Sequence, residues 1–337
     1  MAYCSIRILI MYYHYTFLLL LLLPALSAGA LPKHEIDISN NNKNTNLVFQ
    51  ALQVEYREMA SWYDWFWKSY TRETLKIPLD LVMMQQQAKE SCGRLRLYNK
   101  NTFTVVDVAC GTGELLKRII ISINHQTKHN KEHDEVGEKK KGIITKFLKQ
   151  QQQLSLVGIE PCTEMLEQAH RKLSLSSSLQ QQQLTSASAS ASTMTTATTT
   201  TTTLKQAPAE ELPLKDSSAD IVTCTNAFHF FRDKSKALLE MKRVLKSDGT
   251  GTTGTLIITD WCQDFWMVKM YHLLEKIRWN WRFVDKYPGP LSSKELLTLL
   301  QNAGFVDVSL TKYVVRVFWI LPWGMQTIVC SPQNRRR

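Results

Sequence analysis

A chain of 337 residues that is 44% hydrophobic and 21% charged has ordinary globular composition, which excludes wholesale disorder; 13 glycines and 10 prolines exclude collagen-like or elastic sequence. Lys and Arg (41) exceed Asp and Glu (30) by +11, but residues 124–153 carry +3 of this and Arg335, Arg336 and Arg337 another +3, leaving +5 elsewhere. No concentrated basic stripe exists to track a phosphate backbone, so nucleic acid is not the expected partner.

Residues 1–30 read as a secretory leader: Arg7 precedes the apolar run Phe17 to Leu23, followed by Pro24 and then Ala28-Gly29-Ala30. Cleaved near Ala30 it is a signal peptide. Retained, it is a signal anchor and the chain's only membrane contact. Either form predicts entry into the secretory pathway, ending in the endoplasmic reticulum, at a membrane, or in a plastid reached through the endoplasmic reticulum. No run of about eighteen apolar residues follows. Residues 31–102 read as a linker with helices, 103–330 as the main domain and 331–337 as a basic tail.

Along the main domain the pattern alternates. Phe103 to Val108 is a β-rich run, followed by a glycine turn and a helical pattern from Glu114. Residues 124–153 are charged and polar and read as a loop insertion; His125, His129 and His133 share a helical spacing there but suit solvated decoration better than a metal site. Leu154 to Ile159 is the second strand, with a helix through Met165, Leu166, Ala169 and Leu173. Residues 174–204, rich in Ser, Gln, Ala and Thr, read as a second disordered insertion, with a third strand in the degenerate segment before Glu210. Asp220 to Cys224 and Thr255 to Thr259 are the fourth and fifth strands, with a helix over Ala237 to Leu245 between them. An aromatic stretch from Trp261 to Tyr287, a helix over Ser292 to Ala303, and strands over Val306 to Val317 and Thr327 to Val329 complete the chain. Strand–helix alternation predicts an α/β, doubly wound, mostly parallel sheet. The cysteines are scattered singly without a CxxC pair, unlike a zinc site or a disulfide framework.

The turn Ala109-Cys-Gly111-Thr-Gly113 lets backbone N–H groups approach a ligand at the carboxyl end of the first strand, and Glu160 ends the next strand at the same edge. An acid there accepts hydrogen bonds from two ribose hydroxyls. A dinucleotide fingerprint needs a third glycine where Leu116 stands, which weighs against an NAD(P)-dependent oxidoreductase. A non-catalytic protein that kept the pocket for binding or assembly is the other alternative.

The segments VVDVACGTGELL, LVGIEPCTEMLEQAHRKL, AEELPLKDSSADIVTCTNAFHFF, ALLEMKRVLKSDG and LIITDW occur in this order. In them the chain resembles the class I S-adenosylmethionine-dependent methyltransferases, small-molecule branch, such as the enzymes of ubiquinone and menaquinone biosynthesis. The resemblance spans roughly residues 50–330. It implies a Rossmann-like seven-stranded sheet with helices on both faces, S-adenosylmethionine as cofactor, and a small, hydrophobic or aromatic methyl acceptor. It also implies roles. Asp107 would face the methionine amine, with Ala109, Gly111 and Gly113 forming the loop; Ala109 replaces the family's commonest glycine. Glu160 would hold the ribose and Met165 the adenine face, with Ala209 and Glu210 at the adenine edge, although Pro208 stands where the family usually has an acid. Asn226 and His229 would line the reactive end, His229 as a candidate general base. Tyr63, in Tyr56-Arg-Glu-Met-Ala-Ser-Trp-Tyr63-Asp64, would belong to a helix covering the cofactor, and the Trp261 to Tyr287 stretch to a lid over the acceptor.

Overall fold

In the computed structural model, the described residues are 54, 56–93, 102–137, 153–174, 200–247, 253–280, 289–317 and 321–333. The leader and the tail beyond residue 333 lie outside them. The chain divides into two compact units, Met1–Val48 with Leu273–Tyr287, and Phe49–His272 with Pro288–Arg337. Only residues 273–280 of the first unit are described, so the architecture below is that of the second.

After helical residues at 54 and 56–59, helices α1 (Tyr63–Phe66), α2 (Lys68–Thr74) and α3 (Lys76–Gly93) lead in. The sheet then alternates with helices: β1 (Thr102–Val108), α4 (Glu114–Gly137), β2 (Gln153–Ile159), α5 (residues 163–174), β3 (Thr200–Lys205), β4 (Ile221–Thr225), α6 (Lys234–Val244) and β5 (Thr255–Trp261). It closes with α7 (Trp266–Asn280), α8 (Ser293–Asn302), β6 (Phe305–Val317) and β7 (Leu321–Pro332). The seven strands lie in the order β3-β2-β1-β4-β5-β7-β6. β1 to β5 pair in parallel, while β7 runs antiparallel to both β5 and β6. This is the expected doubly wound sheet.

Helices cover both faces, which is why the central strands are continuously apolar rather than alternating. Phe103 and Val105 point to one face, packing with Leu115, Leu116, Ile119 and Ile120 of α4 and Val82 and Met83 of α3. Val106 and Val108 point to the other, with Leu238, Met241 and Val244 of α6 and Leu296 and Leu300 of α8. Chain order reverses between β1 and β4, which opens a crevice at their carboxyl ends, the usual ligand position in such sheets.

The insertions prove narrower than their composition suggests. Residues 124–137 continue α4 as helix, and Gln153 already belongs to β2. Thr200 to Leu204, expected in the second insertion, form most of β3. Threonine is β-branched and favours the pleated conformation, and pairing with Leu154 to Ile159 gives the threonine run a fixed register. β7 is also longer than Thr327 to Val329, and takes in Ser331 and Pro332 of the expected tail.

Candidate cofactor site

The turn after β1 holds three residues with left-handed backbone, Ala109 (φ 57°), Gly111 (φ 54°) and Gly113 (φ 72°). Gly111 donates its N–H to Glu160 Oε2 at 2.9 Å, and Cys162 donates its own to Oε1 at 3.0 Å. Glu160 is thereby fixed across the crevice from the turn. Gly113 serves packing instead: a Cβ there would lie 3.2 Å from Ala169 Cβ on α5. At Ala109 a side chain occupies a conformation that costs about 1–2 kcal/mol outside glycine. Ala109→Gly is therefore expected to leave thermal stability unchanged or raise it by up to about 1 kcal/mol, because glycine's extra unfolded-chain entropy offsets part of the relief. A clear loss of stability in a thermal melt contradicts the strain.

Asp107, near the end of β1, accepts from Thr223 Oγ1 at 2.8 Å. Asp107 and Glu160 are only 3% and 7% exposed. Burial pushes each carboxyl up to about 7, against the pull of their hydrogen bonds, and the charge of Glu160 adds to the rise at Asp107. Two buried carboxyls in one crevice favour a ligand that brings positive charge and hydroxyl donors.

A cavity surrounds them. Tyr63, Asp107, Ala109, Gly111, Glu160, Met165 and Asn226 line it, seven of the residues expected at the cofactor. Tyr56, Asp64, Cys110, Thr112, Thr225 and Phe230 line it as well. Of these only Tyr56 and Asp64 stood in a motif read as covering the cofactor. Thr225 Oγ1 is buried there without a hydrogen-bond partner.

Four expected residues do not line this cavity. Gly113 faces α5. Ala209 is buried in the core with Leu212. Glu210 is buried, and its Oε1 accepts the Asp233 N–H at 3.1 Å, tying its loop to the start of α6. His229 is 1% exposed. Its Nδ1 lies 2.6 Å from Asp260 Oδ1, its backbone N–H donates to Asp260 Oδ2 at 2.6 Å, and its ring stacks on Trp261 at 4.2 Å. It sits behind the wall formed by Phe230, whose ring centroid is 3.9 Å away.

Asn226 (φ 59°) is committed to protein partners. Its Oδ1 accepts from Tyr70 Oη at 2.9 Å and its Nδ2 donates to Thr74 Oγ1 at 2.8 Å, which pins α2 to the end of β4. Tyr70 Oη in turn accepts from Trp261 Nε1 at 2.6 Å. Trp261 meets Tyr271 and Trp323 edge-on at 5.3 and 5.1 Å. So three aromatics of the expected lid, Trp261, Phe265 and Tyr271, join the cluster around Tyr70. Trp266 is instead 65% exposed. Trp281, Phe283 and Tyr287 lie outside the described residues, as does the side-chain environment of Trp279.

The chain is similar to several known proteins. Residues 136–252 match the family described as "Methyltransferase domain". The match starts after the glycine turn and covers β2 to α6. The ubiquinone/menaquinone biosynthesis C-methyltransferase UbiE of Campylobacter jejuni is 23% identical over 234 residues, 64% of this chain and 77% of that protein. The uncharacterized methyltransferase YcgJ of Bacillus subtilis is 53% identical over 45 residues, 13% of this chain and 18% of that one. Among solved structures, a possible histamine N-methyltransferase from Thermotoga maritima is 16% identical with a TM-score of 0.46, covering 82% of this chain and 98% of that one.

Proposed function

We propose that this chain is a class I S-adenosylmethionine-dependent methyltransferase and transfers the methyl group to a small, hydrophobic or aromatic acceptor. One observation carries the reading: Asp107, the Gly111 amide edge and Glu160 converge on one cavity, with Thr225 Oγ1 buried and unpartnered in its wall. That set suits a cofactor with an ammonium group, a sulfonium and vicinal hydroxyls. Asp107 would meet the ammonium group and Glu160 the ribose hydroxyls, while Met165 would pack on the base. Ala209 and Glu210 would act only through the backbone position of their loop.

The sulfonium of the bound donor supplies an already activated methyl group. The chain's own task is then alignment and exclusion of water. Tyr56, Tyr63 and Phe230 roof the cavity, and their rings shield it: Tyr56 stands 6.2 Å from Tyr63 and 5.7 Å from Phe230. The same three rings, which line the cavity, would give an apolar, ring-shaped acceptor a surface to pack on. His229, buried behind Phe230, would reach an acceptor proton only after that ring moves, so we assign it to holding Asp260 and Trp261 in place.

The test is incubation of the purified chain with isotopically labelled S-adenosylmethionine and lipid or quinone extracts, followed by mass spectrometry. A label recovered in a small aromatic or isoprenoid product supports the reading. Label that appears only in protein or highly polar products overturns the acceptor class.

A further inference from the structure

Helix α1 contains no buried residue, yet Tyr63 and Asp64 on it line the cavity. Asp64 ties α1 to Lys172 of α5 and to Thr112 of the glycine turn. The Lys172 ammonium lies 2.7 Å from Asp64 Oδ2 and 3.1 Å from Glu114 Oε2, and donates to Thr112 Oγ1 at 2.8 Å. The Thr112 hydroxyl donates to Asp64 Oδ1 at 2.6 Å, so the network closes on itself. Four segments meet here: the covering helix, the glycine turn, the start of α4 and α5.

The Lys172 side chain is 12% exposed. Its partners are more open, Asp64 at 47% and Glu114 at 27%, so solvent screens part of the attraction, and what the network gains comes from one half-shielded ammonium serving three partners at once. Lys172 itself does not line the cavity. The next helix, α2, has independent anchorage, because Tyr70 and Thr74 are buried and hold Asn226. Trp67 joins the two helices. Tyr63 of α1 also packs against Ala60, Cys162 and Met165, so lifting α1 would break these apolar contacts together with the polar network, while the anchorage of α2 would be untouched. Other charges nearby include Glu160 across the cavity from Tyr63, Arg118, 3.0 Å from Glu114 Oε1, and the outward pair Arg57–Glu164 at 2.9 Å.

We propose that Lys172 is a positioning residue that latches α1 over the bound cofactor and thereby sets the rate at which cofactor exchanges. The inference rests on the cofactor reading above. Entry of ligand needs α1 lifted; closure makes the Lys172 contacts; escape must break them. Without Lys172 the Asp64 and Glu114 carboxylates face each other with less counter-charge, and their repulsion favours the open position. Salt screens such charges and should act in the same direction.

The experiment measures association and dissociation rates of S-adenosylhomocysteine by intrinsic tryptophan fluorescence, at low and high salt. In the wild type, dissociation should accelerate with salt. Lys172→Met should accelerate it about tenfold, equivalent to about 1.4 kcal/mol, with a much smaller change in association and little remaining salt response. Lys172→Arg should keep most of the wild-type rate. Asp64→Asn combined with Lys172→Met should be no faster than Lys172→Met alone, because both variants break one network. Wild-type dissociation rates in Lys172→Met, or full additivity in the double variant, overturn the latch. A wild type that fails to bind S-adenosylhomocysteine overturns the cofactor reading, and the latch falls with it.

Discussion

Glu160→Ala is expected to weaken S-adenosylhomocysteine binding by about 1.5–3 kcal/mol, the scale for hydrogen bonds to a charged group. That is roughly a 10- to 150-fold rise in Kd. The carboxylate takes one N–H from Gly111 and one from Cys162. Each oxygen has a second lone pair, and these remain for two ligand hydroxyls. Alanine therefore removes both the ribose acceptor and the brace that holds the turn against β2. Calorimetry checks this, with a thermal melt to separate lost binding from lost fold. An unchanged Kd means that Glu160 does not touch the ribose.

Asp107→Asn should change stability with opposite consequences at two pH values. The Asp107 carboxyl is pushed up to about 7, mainly by burial. A buried acid whose folded pKa exceeds its unfolded value keeps its proton in the native state while the unfolded chain has lost it. Stability therefore falls as pH rises from about 4 to about 7 and stays lower above that. The free wild type carries this cost at pH 8 and escapes it at pH 5. Asn keeps the shape and the Thr223 hydrogen bond without the charge. The variant should thus be more stable than wild type by about 1–3 kcal/mol at pH 8, a rise of several degrees in melting temperature, and show no gain at pH 5. It should also bind S-adenosylhomocysteine more weakly, since the ligand's ammonium loses its partner. In the wild type, binding should strengthen as pH rises toward 7, because the ligand favours ionised carboxylates. A variant less stable than wild type at both pH values contradicts the burial cost.

What was legible in the sequence was local or periodic. β1, its glycine turn and Glu160 stand out because a strand, a backbone conformation and a strand-end acid each leave a mark in a few consecutive residues. The threonine strand β3 was hidden because a homopolymeric run has no alternation from which to read a buried face; only pairing with β2 assigns one. Asn226 lines the cavity, and the engagement of its side chain by Tyr70 and Thr74, more than 150 positions away, leaves no local mark in the sequence. His229 was read as a reactive group, and its pairing with Asp260 depends on the adjacency of β4 and β5. Lys172 carried no signal at all: one lysine on an ordinary helix face becomes a latch only when the fold brings Asp64, Thr112 and Glu114 to it.

Titration calorimetry of the purified chain with S-adenosylhomocysteine and, separately, with NAD tests the central claim most directly. Asp107, Gly111 and Glu160 line one crevice, and a leucine stands at position 116 where a dinucleotide turn needs glycine. The expected result is one-to-one binding of S-adenosylhomocysteine, strengthened between pH 6 and pH 8, with no heat from NAD. Binding of NAD with no response to S-adenosylhomocysteine would contradict it.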